Sequence, residues 1–313
     1  MHRVARIDRE AMQVPELFAG HSQGFRRQSL VDGTTGSVHM GFAVCMLEGG
    51  GHIAPHVQSY EEAVFVLEGE VELTMQGETV LLGTDEGGLI PVGVPHSWRN
   101  PGDRPCLWAE MRSPRPRESQ SDPPDVFFLR EPLLAGPPRR VDVRDPRHFR
   151  FFHFEKAQMD LNSARRGSSV DAPTVSPSMV TALLVYSGIG IKMLVDPQQG
   201  ANLLTMFMVE YEPGGVAHPH DHPLEEAYLI LEGEVDAVAD GQTYQLRAGD
   251  FFWTGVGTVH AFYNRSSGKV RWLETQAPQP PRQHSYRFNR DWEYLARLLG
   301  AEPARGSAAT RMP

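Results

Sequence analysis

The sequence GGVAHPHDHPLEEAYLILEG, residues 214–233, decides the fold, because a related sequence, GGHIAPHVQSYEEAVFVLEG, occupies residues 50–69. The offset of 164 positions between the two copies continues without a gap as far as Pro116 and Pro280. About a third of the positions aligned in this way are identical. An internal repeat of this length predicts two copies of one domain in tandem.

Each copy has the pattern of a β structure. Short apolar runs, residues 63–71 and 227–235, contain a single glycine, and Gly77 and Gly241 mark hairpin turns. Such runs recur about every ten residues with turn signals between them, which is typical of β-sandwiches and barrels. The chain also holds 30 Gly and 25 Pro, which favours short strands over long helices. We therefore predict an all-β protein.

Four residues of the second copy are typical metal ligands. His220 and His222 are two positions apart, so on a strand their side chains lie on the same face. Glu226 keeps that parity on the next strand, and His260 lies on a separate strand that can complete the set. Three imidazoles and one carboxylate suit a divalent first-row metal, with one or two positions left open for water or substrate.

These residues resemble the two signature motifs of the cupin superfamily. The first is matched from Gly214 to Gly233, and the second from Gly249 to Asn264, where Gly255 replaces the usual proline. Both halves match, so the whole chain resembles a bicupin. The resemblance implies two tandem jelly-roll β-barrels. It also implies one divalent metal (Mn, Fe, Ni, Cu or Zn), held by His220, His222, Glu226 and His260.

The first copy matches the motifs less closely. Its corresponding residues are His56, Gln58, Glu62 and His96, and Asp85 replaces a glycine of the second motif. An amide oxygen is a weak, neutral ligand compared with imidazole. This barrel therefore either holds a metal weakly or is a structural copy, and we favour the second interpretation.

Strand parity also indicates the surroundings of the metal. Four aromatic residues are candidates for the substrate pocket: Tyr228 and Phe262, which share the parity of the ligands, and Trp253 and Trp272, whose facing the sequence leaves open. A cavity with such walls suits a small, partly apolar organic substrate. The crowding of ionisable groups makes His218 and Glu226 candidates for proton transfer.

The expected organisation has four parts. Residues 1–125 form the first barrel, 126–178 an inter-barrel segment, 179–290 the second barrel, and 291–313 a short helix with a flexible tail. The helix is predicted from Asp291 to Leu299 by apolar residues at helical spacing after a capping aspartate. Residues 162–178 are polar and turn-rich, which predicts a disordered loop or a lid.

Three classes of function remain open. The ligand set resembles that of quercetin and other cupin dioxygenases, which favours a metal-dependent oxidoreductase. The bicupin layout resembles ureidoglycine aminohydrolases, although these place Glu, His, His and Gln at the ligand positions, so a hydrolase, lyase or isomerase is the alternative. Oxalate decarboxylases share the ligand set but bear it in both halves. The third class is a non-enzymatic cupin that binds a small molecule.

Composition restricts the partners. The net charge is -9, with no basic patch of the kind that nucleic-acid binding needs. No apolar run approaches the roughly 20 residues of a membrane helix, and the first residues lack the apolar core of a signal peptide. We expect a cytoplasmic homo-oligomer, such as a dimer, that acts on a small molecule and binds neither nucleic acid nor membranes.

Overall fold

The computed structural model describes residues 1–117, 124–159 and 188–279 of the 313-residue chain. In the first half the strands are β1 His2–Arg6, β2 Ser22–Val31, β3 Gly41–Gln58, β4 Glu61–Glu68, β5 Glu70–Met75, β6 Glu78–Gly83, β7 Glu86–Ile90, β8 His96–Arg99, β9 Cys106–Ser113, β10 Val126–Phe128, β11 Arg139–Arg140 and β12 Phe151–His153. In the second half they are β13 Ile189–Val195, β14 Thr205–Tyr211, β15 Val216–His220, β16 Glu225–Glu232, β17 Glu234–Ala239, β18 Gln242–Arg247, β19 Asp250–Thr254, β20 His260–Tyr263 and β21 Val270–Ala277.

Helical structure in the described residues consists of short 3₁₀ turns. They span Glu16–Phe18, Gly33–Thr35, Pro146–His148, Lys156–Met159 and Pro197–Gln199. No helix in these ranges is long and apolar enough to cross a membrane. The helix expected at Asp291–Leu299 and the loop at 162–178 lie outside the described residues.

The sequence repeat is also a structural repeat. Strands β4 to β9 recur as β16 to β21 at the offset of 164, and the long strand β3 corresponds to β14 and β15 together. The turn before β7 shows why an aspartate can replace the expected glycine there. Asp85 has φ of 66° and Gly249 has φ of 87°, and aspartate is among the few residues besides glycine that adopt this left-handed conformation.

The second half is built from two sheets. One has the order β1-β19-β16-β21-β14-β13 and the other the order β15-β20-β17-β18. In the first half the corresponding strands form one continuous sheet of eleven strands, because β3 runs through both layers. The prediction of an all-β protein built from two tandem copies of one domain is confirmed.

Three apolar cores follow from the alternation of side chains along the strands. One core fills each barrel, and a third lies between the two halves, where Phe42 of the first packs against Phe251 of the second at 4.9 Å between ring centroids. Along β16, Tyr228 and Ile230 belong to the core of the second barrel, whereas Leu229 belongs to the shared core. The face of a strand therefore decides whether a residue can reach the metal ligands.

Some edge strands pair with strands outside their own predicted part of the chain. Strand β1 pairs with β19 and so extends a sheet of the second half. At the equivalent place in the first half, β12 pairs with β7, and β10 pairs with the end of β3. The limits of the four predicted parts remain a proposal. The pairing shows that β1 joins a sheet of the second half, and that β10 and β12 join the sheet of the first half.

Candidate metal centre

Neighbouring strands bring the three histidines of the second half together. His220 ends β15 and is paired directly with His260, the first residue of β20. His222 follows two residues after β15, and its carbonyl accepts a hydrogen bond from the Gly257 amide at 3.0 Å. Strand β16 places Glu226 on the same side. All four side chains are buried, with between 1% and 8% of their surface exposed.

Backbone carbonyls orient the three imidazole rings. Nδ1 of His220 donates to the His218 carbonyl at 2.7 Å. Nδ1 of His222 donates to the Leu224 carbonyl at 3.0 Å, and Nδ1 of His260 donates to the Thr258 carbonyl at 2.8 Å. In the neutral form of each ring, Nε2 therefore carries the lone pair that a metal can bind. One ring nitrogen from each histidine lies within 4.8 Å of the others.

The Glu226 carboxylate completes the cluster. Its Oε2 lies 2.6 Å from Nε2 of His222 and 3.3 Å from Nε2 of His260. The Tyr228 hydroxyl donates to the same oxygen, and Gln276 donates its amide to Oε1. The carboxylate is thus held in one orientation, towards the histidines.

Burial and mutual charge set the ionisation of the cluster. Burial, together with the neighbouring His260, lowers the pKa of His220 to about 3, so this imidazole stays neutral. Burial also opposes a charge on His222, but the Glu226 carboxylate prevails and raises the pKa of His222 above its ordinary value. In turn, His222 and His260 hold the pKa of Glu226 well below its usual range despite burial. The site thus carries an ionised carboxylate, a neutral His220, and a His222 that must lose any proton on Nε2 before it can bind a metal.

This donor set fits a divalent transition metal. Three imidazole nitrogens and one carboxylate oxygen are the ligands that Mn, Fe, Ni, Cu and Zn accept. Within the described residues, His220, His222 and His260 form the one group of three or more candidate ligands with this geometry. Glu226 would be the fourth ligand.

Three of the four aromatic residues expected in the pocket pack together inside the second barrel. The rings of Tyr228 and Phe262 are 4.8 Å apart, and those of Phe262 and Trp272 are 5.3 Å apart. Tyr228 reaches furthest towards the site, since its hydroxyl lies 3.0 Å from Nε2 of His260. Trp253 belongs instead to the core between the two halves.

His218 lies apart from the three clustered histidines. Its carbonyl orients His220, but its ring packs against Tyr263, with 6.0 Å between centroids. A register shift between Ala217 and His220 alters the alternation of side chains in β15. Of the two residues expected to transfer protons, Glu226 is therefore the one that the structure places among the histidines.

The corresponding residues of the first barrel form a different arrangement. The rings of His56 and His96 are 4.1 Å apart, but Gln58 donates its amide to the Glu62 carboxyl at 3.1 Å. Burial lowers the pKa of His56 to about 4 and that of His96 to about 3. Both imidazoles are therefore neutral, and the Glu62 carboxyl is hydrogen-bonded to Gln58, where the second barrel has His222 bonded to Glu226.

Two aromatic rings pack against His56. Phe18 and Phe128 pack against its ring at 5.6 Å and 5.4 Å, and His21 stacks on Phe128 at 4.0 Å. These rings, together with His96, pack closely around His56. This packing favours the interpretation of the first barrel as a structural copy.

Two residues of β21 add to the site beyond the predicted ligands and pocket. Gln276 holds Oε1 of Glu226, and Glu274 accepts a hydrogen bond from Nε1 of Trp272 at 2.8 Å. Burial and the nearby Glu226 raise the pKa of Glu274, so this carboxyl keeps its proton. The alternation of Trp272, Glu274 and Gln276 along one strand is the sequence signal for both residues.

Comparisons with known proteins identify the family of the chain. The cupin domain model matches residues 43–111 and 207–275. The chain is 27% identical to a quercetin 2,3-dioxygenase of Bacillus subtilis (strain 168) over 237 residues, which cover 71% of this chain and 69% of that protein. It is 33% identical to the polyketide synthase CurC of Streptomyces cyaneus over 105 residues, which cover 33% of this chain and 68% of that protein.

A solved structure shows the same two-barrel fold. The salicylate 1,2-dioxygenase from Pseudoaminobacter salicylatoxidans, in its adduct with gentisate, matches with a TM-score of 0.63 at 16% identity. The match covers 88% of this chain and 81% of that one. The chain belongs to the cupin superfamily. Within it, the repeat makes the chain a bicupin, and its candidate metal centre lies in the second barrel.

Proposed function

We propose that the chain is a metal-dependent dioxygenase that acts on a small, oxygen-rich organic substrate in the second barrel. The observation that carries the proposal is the cluster of three oriented imidazoles, two of which, His222 and His260, approach the Glu226 carboxylate. The similarity to a quercetin 2,3-dioxygenase over 71% of the chain supports the oxygenase class.

The proposed metal ligands are His220, His222, Glu226 and His260. When bound there, a redox-active divalent metal would supply Lewis acidity and one-electron chemistry for a reaction of the substrate with O₂. The backbone carbonyls behind the imidazoles would keep the rings in place while substrate enters and leaves.

We assign proton uptake to Glu226 and its orientation to Tyr228. Glu226 is ionised, and its Oε2 can accept a proton from an acidic hydroxyl of the substrate. Burial and the neighbouring Glu226 raise the pKa of Tyr228 well above its ordinary value, so its hydroxyl remains a donor to that oxygen. The rings of Phe262 and Trp272 exclude water from this end of the barrel.

Oxygen consumption tests the proposal. The purified, metal-loaded protein is assayed in air and under argon against diketones, catechols, flavonols and ureido compounds. A dioxygenase consumes O₂ in proportion to product and stops under argon. Turnover that continues unchanged under argon would instead support a hydrolase, lyase or isomerase, and saturable binding without turnover of any compound would support a non-enzymatic cupin.

A further inference from the structure

Two buried arginines distinguish the interior of the first barrel from that of the second. Arg27 on β2 and Arg112 on β9 occupy positions that correspond, at the offset of 164, to Ile191 and Gln276. Their side chains are 12% and 8% exposed. Two guanidinium groups therefore stand inside the barrel whose metal motif is incomplete.

Both guanidinium groups pair with a single carboxylate. Oε1 of Glu110 lies 2.9 Å from Nε of Arg27 and 3.3 Å from Nε of Arg112, and the Cys45 thiol donates to Oε2 at 3.1 Å. Burial opposes the charge on Glu110, but the two arginines lower its pKa, so it is ionised. Two positive charges thus meet one negative charge in this cluster.

The terminal nitrogens of these arginines retain the capacity to donate. Among the described residues, no hydrogen bond joins these terminal nitrogens to a protein oxygen. The two arginines contact Glu110 through Nε, and Arg27 also has a hydrogen bond with the Cys45 thiol. A second carboxyl, Glu62, faces the same cluster, but it is held by Gln58, and burial raises its pKa to about 8. Arg27 is further fixed by the rings of Phe18 and Phe25, whose centroids lie 5.0 Å and 5.4 Å from its guanidinium carbon.

A cavity of about 410 Å³ opens beside the pair of arginines. Arg27, Arg112 and Tyr60 contribute polar groups to its wall, and Pro15, Phe18 and Val126 contribute apolar surface. Two further charged groups of the wall, Arg117 and Asp125, pair with each other at 2.6 Å, and the carboxylate of Glu16 stands exposed at the rim. Ligand pockets combine these features: mostly apolar walls, a few convergent polar groups and a volume of several hundred Å³.

We propose that this cavity binds a small organic monocarboxylate with an apolar or aromatic body. The carboxylate lies against the terminal nitrogens of Arg27 and Arg112, because planar guanidinium groups match carboxylates in geometry and charge. The body of the ligand packs on Phe18 and Val126. A monocarboxylate fits better than an inorganic oxyanion, because it supplies the one missing negative charge and also covers the apolar wall.

This site is separate from the candidate metal centre and does not depend on the proposed function. Its arginines occupy the first barrel, whereas the clustered histidines lie in the second. The test can therefore be made on the metal-loaded full chain, with the metal centre as an internal comparison.

Crystals soaked in 4-bromobenzoate locate the ligand directly through the anomalous signal of bromine. The expected result is a bromine peak in the cavity, with the carboxylate against Arg27 and Arg112, and no such peak with the neutral 4-bromobenzamide. A peak confined to the histidines of the second barrel, the same occupancy with the amide, or no peak at all would overturn the proposal.

Calorimetric titration with benzoate tests the role of the arginines. Arg112→Gln introduces the residue type that the second barrel has at the equivalent position, Gln276. We expect the affinity for benzoate to fall about 10- to 100-fold, the usual effect of removing a charged hydrogen-bond donor. The matched control, Arg265→Gln, removes an exposed arginine of the second half and should bind as the parent does. His260→Ala should also retain binding.

Circular dichroism verifies that each variant is folded. If Arg112→Gln binds benzoate as tightly as the parent, the guanidinium pair is not the binding site. Inorganic phosphate that competes as strongly as benzoate would likewise contradict the assignment of an organic carboxylate. Should Arg112→Gln fail to fold, the bromine position in the parent crystal decides.

Discussion

Glu61 and Glu225, which are 164 positions apart, join the two halves by the same contact made in opposite directions. The Glu61 carboxylate of the first half accepts a hydrogen bond from the backbone amide of Asn202 at 2.9 Å. The Glu225 carboxylate of the second half accepts one from the backbone amide of Val38 at 2.7 Å. Asn202 and Val38 are themselves 164 positions apart. Both carboxylates are buried, at 2% and 1% exposed. The repeat therefore includes the contacts that join its two copies.

Loss of one of these carboxylates should destabilise the chain. Glu225→Ala removes hydrogen bonds to a charged group and leaves the Val38 amide without its acceptor, so we expect a loss of about 2 kcal/mol in the free energy of unfolding. Denaturant titration followed by circular dichroism measures it. The control Glu10→Ala removes an exposed carboxylate and should change stability by less than about 0.5 kcal/mol. Equal midpoints for the two variants would show that the contact contributes nothing.

Metal content should depend on the second barrel alone. His260→Ala removes one proposed ligand, and we expect metal affinity to fall by more than the roughly 10- to 100-fold caused by loss of an outer hydrogen-bonding partner. His96→Ala makes the same change at the equivalent position of the first barrel and should leave one equivalent of metal bound. Elemental analysis of both purified variants measures this. Two equivalents in the parent, or loss of metal from His96→Ala, would contradict the assignment.

Metal uptake should weaken as the pH falls. The pKa of His222 is raised by Glu226, and a proton on its Nε2 occupies the lone pair that the metal needs. Below that pKa the metal must displace a proton, whereas above it none is released. Calorimetry in two buffers of different ionisation enthalpy counts the protons released between about pH 5 and 8. An affinity that is constant across this range would refute the expectation.

The Tyr228 hydroxyl should affect turnover more than metal binding. Tyr228→Phe removes the donor to Oε2 of Glu226 but keeps the aromatic ring, so we expect metal content to stay constant and kcat to fall about 100-fold. Tyr244→Phe, at a half-buried position bonded to His2, is the matched control and should keep its activity. A parallel loss of metal from Tyr228→Phe would indicate a structural role instead.

The repeat and the positions of the ligands could be predicted from sequence because they depend on local rules. Strand parity predicts His220 and Glu226 on one side of the barrel, and in the structure His220 clusters with His222 and His260, which in turn approach the Glu226 carboxylate. The parity rule alone does not locate His218, because the register shift in β15 alters the count. A single irregular residue pair therefore limits what alternation can predict.

Other features depend on contacts between distant parts of the chain. Trp253 lies in the shared core because β19 packs towards the first half, which no local pattern of β19 reveals. Phe18 and Phe128 cover His56, although 110 positions separate them. The cavity beside Arg27 is also formed by residues far apart in sequence. Tertiary packing of this kind cannot be deduced from the spacing of residues along one strand.

The central claim is that the second barrel combines an organic substrate with O₂, and labelling with ¹⁸O₂ tests it most directly. The metal-loaded protein is supplied with ¹⁸O₂ and with a substrate that it turns over in air. The ¹⁸O content of the products is then measured by mass spectrometry. We expect both labelled atoms to appear in the products and His260→Ala to abolish the incorporation. Products that take their new oxygen only from water, or that form at the same rate without O₂, would contradict it.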